Sequence, residues 1–406
     1  MASRLFEPLQ LRGVSFRNRI VVSPMCQYCG ADGRPGDWHN QHYGSLATSG
    51  PGLLMIEATA VTETVRITAG CLGMYSDANE AAMARLIGAI RAVSDVPVGI
   101  QLIHAGRKGS AKPPWEGGQP LAVEAGGWQT ISACARAFGP GWHTPAEATL
   151  DDIAAIGDAF ADAASRAMRA GADLIEVHVA HGYLLHQFLS PISNYRSDAY
   201  GGKLENRMRF ALEVIAKVRR AVPDEKVLGM RLSANDWLQG GFNPEEAIVF
   251  VEAAARAGID YVCVSTGGIS ADAKIPLGPG YQSDFAAAIR RATGVPTRAV
   301  GLITDPQQAE DLLEAGKADL VALGRAFLND PRWVWRAALT LGEPISSPRQ
   351  YLAARHTAIS PMEVSLPPGT MATTSTQPLA ANANAPSANA PSANASSDRL
   401  LKGMLQ

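Results

Sequence analysis

The stretch HVAHGY, residues 178–183, sets two imidazoles three residues apart and a phenol two residues further on. Imidazoles at that spacing can ligate a metal, donate hydrogen bonds to an anionic oxygen, or sit satisfied in a core. No carboxylate or third histidine accompanies His178 and His181. The pair also falls on the end of an apolar run and the loop after it, rather than on one helix face, which favours oxygen-binding donors over a metal site. Tyr183, with an ordinary phenol pKa of about 10, is too weakly acidic for a base at neutral pH but suits an acid that protonates a developing carbanion. Together the three side chains suggest enolate chemistry, with a carbonyl polarised at one end and carbon protonated at the other.

A second stretch, SPMCQYCG at 23–30, spaces Cys26 and Cys29 as C-x-x-C. The spacing alone is compatible with a redox pair, half of a zinc site, or neither. A third group is made of glycines and one arginine: Gly301, Gly324 and Arg325 come directly after two late apolar runs. Backbone N–H groups left bare by glycine, beside one guanidinium, suit a phosphate dianion; ordinary turn glycines are the bland alternative.

Eight short, nearly continuous apolar runs carry these residues: 20–24, 53–57, 98–102, 174–178, 227–231, 261–265, 297–301 and 319–323. Such runs read as strands buried on both faces. Between them lie amphipathic helical patterns. One spans 149–172 with Thr149 as cap and Gly171 as stop; another opens at Asn243-Pro244 and closes at Gly258. Eight parallel βα units predict an α/β fold, a closed (β/α)8 TIM barrel, and no G-x-G-x-x-G follows the first run to support an open dinucleotide-binding sheet. The leading LFEPLQLRGVSFRN suits an N-terminal β-hairpin that caps the barrel bottom. Residues 1–356 form the expected barrel domain. Residues 357–406, without an aromatic and repeating NAPSA, are a low-complexity C-terminal tail expected to be disordered.

Catalytic residues of such barrels collect where strands end. Here those positions hold Met25, Cys26 and Tyr28, then Ala58 to Ala60, Gln101 and His104, the 178–183 cluster, Arg231, Gly267, Gly301, and Gly324 with Arg325. A net charge of −2 with 18% charged residues points away from nucleic acid and membrane surfaces and toward a small-molecule substrate. Five scattered cysteines and an N-terminus without an apolar core suggest a reducing cytoplasm, and no apolar run approaches the ~18 residues of a spanning helix.

SPMCQY, HAGRK, the block HVAHGYLLHQFLSPISNYRSDAYGGKLENRMRF, GMRLS and ALGRAFLNDP together resemble the old yellow enzyme family of FMN-dependent ene-reductases, over about residues 3 to 355. The cysteine in PMCQY is similar to the thermophilic-like branch. The resemblance implies an NAD(P)H-dependent flavin oxidoreductase, with NADPH or NADH as hydride donor and an activated alkene (enone, enal, maleimide or nitroalkene) as acceptor. It implies that Pro24, Met25 and Cys26 lie against the flavin, that Ala60 and Gln101 hold the ring's polar edge, and that Arg231 sets positive charge near the pyrimidine end. Gly301, Gly324 and Arg325 would hold the phosphate, which agrees with the reading of the glycines. His178 and His181 would bind the substrate's activating oxygen, Tyr183 would protonate Cα, and Tyr28 would assist at the carbonyl. On that footing Cys26 faces a flavin, no metal is expected, and Cys29 is incidental.

A homo-oligomer, dimer or tetramer, is also implied. Relatives of the cysteine branch often send a C-terminal arginine into a neighbour's site; RQYLAARHT departs from that pattern, with Tyr351 and Arg355 nearest the role. A larger relative with an iron–sulfur cluster would need four close cysteines, and none comes after Cys263. A Schiff-base aldolase would need a lysine where VSTGG ends the sixth run. A non-catalytic flavin-binding protein would keep the cofactor site without a proton donor, a role Tyr183 fills.

Overall fold

Runs that are apolar on both faces need a cover on each side, and this chain supplies one by closing the sheet on itself. The computed structural model describes residues 3–344 and 347–351. After the hairpin β1 (Leu9–Leu11) and β2 (Val14–Phe16), strands β3 (Ile20–Val22), β4 (Leu53–Ala60) and β5 (Val98–Ile103) enter the barrel. Two short strands, β6 (Ile131–Ser132) and β7 (Ala146–Glu147), sit in the long connection after β5. The barrel continues with β8 (Leu174–Val179), β9 (Val227–Ser233), β10 (Tyr261–Ser265), β11 (Thr297–Val300) and β12 (Leu320–Leu323). The closed order is β3-β4-β5-β8-β9-β10-β11-β12 and back to β3, parallel throughout. All eight expected runs are barrel strands.

Helices α1 (Asp37–Ala47), α2 (Asp77–Arg91), α3 (Leu150–Arg169), α4 (Leu184–Leu189), α5 (Leu204–Ala221), α6 (Pro244–Ala257), α7 (Ser283–Thr293), α8 (Pro306–Glu314), α9 (Arg325–Asn329) and α10 (Trp333–Leu341) occupy the connections. Their ends follow the expected chemistry. Thr149 accepts from Asp152 N–H while the Asp152 carboxylate reaches back to Thr149 N–H. Asn243 caps α6, Pro244 opens it, and Gly258 closes it at φ 110°. The 357–406 tail and Arg355 lie outside the described residues. Tyr351 packs edge-on against Trp335, and Arg332 stacks over its ring and donates to its hydroxyl.

The barrel interior is layered. At the bottom Val14 and Phe16 of the hairpin pack with Val21, Leu53, Met55 and Leu174, so the hairpin plugs the N-terminal end as expected. Above that plug lies a dry polar layer. Glu176 Oε1 accepts from Gln101 Nε2 at 2.8 Å, and its Oε2 accepts from the Tyr261 hydroxyl at 2.6 Å and from the Arg298 guanidinium. Glu176 and Arg298 are both fully buried. Gly229 makes room for this layer, since a Cβ there would lie 2.0 Å from the Tyr261 ring.

A buried ion pair is costly to break from one side only, because the surviving charge has no water to turn to. Arg298→Met is therefore expected to destabilise the fold by about 3–5 kcal/mol in denaturant melts. Arg298→Met combined with Glu176→Leu is expected to recover a good part of that loss. Equal stability of the single variant and the parent would show that the pair carries no such constraint.

Candidate active site

Strand ends converge at the C-terminal mouth of the barrel on a cleft of about 260 Å³. Of the residues singled out from sequence, Pro24, Met25, Cys26, Tyr28, Gln101, His178, His181, Tyr183, Arg231, Gly301, Gly324 and Arg325 all line it. A larger depression, about 450 Å³, lies at the opposite end beside the hairpin. Its charges answer one another: Arg91 and Lys226 both pair with Asp173.

Thr59, Ala60, His104 and Gly267 do not line the cleft. Of these the resemblance assigns Ala60 to a cofactor's polar edge, whereas in the structure Ala58 lines the cleft and Ala60 does not. The β4 register against β5 slips between Ile56 and Ala58, a bulge at Glu57. The slip sends Glu57 outward, where its carboxylate takes the Tyr43 hydroxyl, the Gln27 N–H and the His39 ring, and leaves Ala58 beside the cleft. Ala60 gives its N–H to the Leu72 carbonyl, and its own carbonyl accepts from Met74 N–H. The bulge has a second effect, because Glu57 now anchors the backbone one residue beyond Cys26.

Burial sets the protonation states. His178 and His181 are held well below the usual imidazole range by burial and by the Arg231 guanidinium beside them, so both are neutral. His178 and Arg231 are register partners on β8 and β9. Tyr183 is pushed above the usual phenol range by burial and by Cys26, and Tyr28 likewise by burial and by Cys26. The Cys26 thiol is pushed up by its hydrogen bond with Cys71, by burial and by Glu57. The rings are close: His178 to His181 is 5.1 Å and His178 to Tyr183 is 4.9 Å between centroids, both edge-on.

The cluster is locked in place by its loops. His181 N–H donates to Ser233 Oγ at 3.0 Å, and that hydroxyl donates to the Gly267 carbonyl at 2.8 Å, so one serine on β9 ties the loops after β8 and β10 together. A Cβ on Gly182 would lie 2.1 Å from the Gly268 carbonyl, so the two loops meet backbone to backbone. Lys108 spans the same seam, donating to the His181 and Gly268 carbonyls, with its ammonium over the Tyr183 ring at 5.2 Å. Burial and Arg107 bring that ammonium down to about 7. Tyr28 at φ 52° and His181 at φ 58° hold left-handed backbone, the strain expected where a side chain is aimed by its surroundings.

Several lining residues escaped the sequence reading. Ser23, Ile67, Pro114, Ser265, Tyr281 and Gln282 border the cleft. Ser265 is the last residue of β10 and Ser23 follows directly on β3, so the rule that strand ends carry the site points to both as well; the others sit on connections without periodicity. His104 lies buried, accepting the Gly106 N–H at Nδ1, and takes no place in the cleft lining. Cys29 is exposed, with Sγ 3.8 Å from His39 Nε2. Among the described residues no His, Cys, Asp or Glu cluster could hold a metal.

The lining carries two guanidiniums, Arg231 and Arg325, and no carboxylate. Arg231 Nε and Ser23 Oγ are buried there without a partner, which buried polar groups seldom tolerate unless a ligand completes them. Gly301 at φ 121° and Leu302 at φ 51° bend the chain so that backbone borders the Arg325 end. A flat cofactor with a polar edge and a phosphate, as FMN has, fits this donor set.

The comparisons with known proteins agree. Residues 4–343 match the model of the NADH:flavin oxidoreductase / NADH oxidase family. An NADPH dehydrogenase of Geobacillus thermodenitrificans (strain NG80-2) is 42% identical over 353 residues, 86% of this chain and 98% of that protein. The NADPH dehydrogenase of Listeria innocua is 42% identical over 354 residues, 87% of this chain and 99% of that one. The solved structure of morphinone reductase superposes with a TM-score of 0.71 at 28% identity, covering 86% of this chain and 92% of the other. With the barrel, the guanidinium-lined cleft and these similarities in agreement, the chain belongs to the NADH:flavin oxidoreductase / NADH oxidase family, the old yellow enzyme group that its strand ends resemble, and is an NAD(P)H-dependent flavin oxidoreductase that uses FMN.

Proposed function

We propose that the chain is an ene-reductase: with NADPH or NADH as reductant it saturates the C=C bond of an alkene conjugated to an oxygen-bearing group, such as an enone, enal, maleimide or nitroalkene. The observation that carries the reading is the neutral cluster His178, His181 and Tyr183, opening on the cleft that also holds Arg231. The chemistry that FMN would supply when bound is hydride transfer from the nicotinamide to Cβ of the alkene. Arg231 would supply charge at the ring's pyrimidine end, Gln101 would take its polar edge, Cys26 with Pro24 and Met25 would contact the ring, and Arg325 with Gly301 and Gly324 would hold the phosphate.

His178 and His181 hold the activating oxygen and stabilise the negative charge that gathers there as Cβ is reduced. Neutral imidazoles suit this task, since they donate hydrogen bonds without giving up a proton to the oxygen. Tyr183 delivers the proton to Cα. Its phenol, pushed up by burial, remains protonated across the neutral range and is never a competing base. Tyr28 borders the same space and assists at the carbonyl, with Trp115 packed edge-on against it at 5.7 Å.

Two measurements test these roles. In Tyr183→Phe, rapid kinetics should show flavin reduction by NAD(P)H nearly untouched and re-oxidation by an enone slowed by roughly 10²-fold to 10⁴-fold, the usual worth of a positioned acid. Equal slowing of both halves would assign the phenol a structural role. Arg231→Ala should weaken FMN binding to the apoprotein by roughly 10-fold to 100-fold, as expected for one lost charge-assisted contact, and should make flavin reduction less favourable. Unchanged cofactor affinity and potential in that variant would remove Arg231 from the cofactor site.

A further inference from the structure

Between their facing nitrogens the two imidazoles carry one proton, whereas holding an oxygen between them calls for two. The hydrogen bonds show how that proton is assigned. Ala180 N–H meets His178 Nδ1 at 3.2 Å. A backbone amide can only donate, so Nδ1 is bare and the ring's proton sits on Nε2. That Nε2–H faces His181 Nδ1 at 3.3 Å, so His181 Nδ1 accepts and its own proton sits on Nε2, 2.8 Å from Ser265 Oγ. Ser265 accepts it and donates its hydroxyl to Gln282 Oε1 at 3.1 Å. Gln282 in turn gives its amide nitrogen to the Val300 carbonyl at 3.0 Å, which orients its own carbonyl toward Ser265. A Cβ on Gly301 would lie 2.6 Å from that nitrogen, so glycine is needed there. The chain runs in one direction from an amide N–H to a backbone carbonyl, and its two ends fix every group between them.

In this arrangement the cleft is offered one N–H, already shared between the rings. We propose that Ser265 is a positioning residue that switches the tautomer of His181 when substrate binds: its hydroxyl turns from Gln282 to His181 Nε2, His181 carries its proton on Nδ1, and the two imidazoles then present two N–H donors to a carbonyl or oxyanion that lies beside them within reach of both. This rests on the reading of His178 and His181 as the oxygen-binding pair. The proton count is unchanged: Nε2 releases one proton to water in the cleft, Nδ1 takes one from it, and no other bond is altered.

Two features allow the switch. Gln282 Oε1 also accepts the Thr266 hydroxyl, at 2.9 Å, so no buried acceptor is emptied when Ser265 turns away. The freedom belongs to His181 alone, because His178 Nδ1 is held by a backbone amide whatever the ligand does. With the nitrogens 3.3 Å apart, an Nε2–H and an Nδ1–H facing one another repel, whereas an oxygen beside the line that joins them lies within hydrogen-bond reach of both, so the ligand's oxygen itself selects the second state.

The test uses the FMN-loaded enzyme labelled with [15N]histidine, at about pH 8 where both rings are neutral. The probe is 4-nitrophenolate, whose oxyanion stands in for the enolate oxygen, and flavin absorbance reports its occupancy. Imidazole 15N spectra, assigned by the difference from His181→Gln, should show His181 protonated on Nε2 in the free enzyme and on Nδ1 with the probe bound, while His178 stays protonated on Nε2. Ser265→Ala should keep its FMN, lose the single free-state tautomer of His181, and bind the probe about tenfold more weakly. A His181 tautomer that is the same in free and saturated enzyme would overturn the switch while leaving the oxygen-binding pair standing. Probe affinity unaffected by replacing both histidines with alanine would overturn the pair, and the switch with it.

Discussion

A carboxylate sealed from water must be fully answered by protein donors, and Glu176 imposes that condition on the centre of this barrel. Its two oxygens take Gln101, Tyr261 and Arg298, three side chains from three other strands. Since a carboxylate only accepts, Gln101 has to turn its NH2 group down toward Glu176, and its carbonyl is left to the cleft above. The layer that neutralises a buried charge thus also decides which end of the Gln101 amide is available to the cleft. Below it the barrel is filled with apolar side chains and closed by the hairpin; above it the lining turns polar. The boundary between scaffold and site is this ring of hydrogen bonds.

A similar constraint governs the histidines. His39, His104, His178 and His186 each accept a backbone N–H at Nδ1, from Gly36, Gly106, Ala180 and Gly182 respectively. Each is thereby left with its proton on Nε2, and in two of them that nitrogen lies beside a buried carboxylate: His39 Nε2 is 3.3 Å from Glu57 and His186 Nε2 is 2.9 Å from Asp236. His181 has no backbone donor at Nδ1, only His178. It is the ring in the site whose tautomer depends on a rotatable hydroxyl rather than on fixed main chain, the freedom on which the proposed switch rests.

Much of this was legible in the sequence because it depends on local order. Short runs buried on both faces announce parallel strands, their alternation with capped helices announces closure, and closure gathers the residues after every run at one mouth. HVAHGY, Arg231 and the Gly324-Arg325 pair were found in that way. The illegible part depends on contacts across the barrel. The β4 bulge at Glu57, which leaves Ala58 beside the cleft, has no sequence signal, since nothing in LLMIEATA marks the slip. Tyr281 and Gln282 end a loop without periodicity, and the role of Gln282 comes only from where Ser265 and Val300 lie. Ile67 and Pro114 reach the cleft from connections whose length alone suggests function.

Desolvation explains how one small volume can hold a proton donor and two hydrogen-bond donors without their titrating one another. Burial disfavours charge of either sign, so it lowers the imidazoles and raises the phenol at once. All three stay neutral over the same range of pH, and the permanent positive charge is left to the guanidiniums. Arg231 stands beside His178 in the β8–β9 register, close enough to help keep the rings unprotonated. Were the imidazoles cationic, they would protonate an enolate oxygen and compete with carbon for the proton. In the proposed reaction, imidazoles held neutral would leave the oxygen its charge and leave Tyr183 as the acid, so the position of Arg231 would bear on which atom of the substrate is protonated.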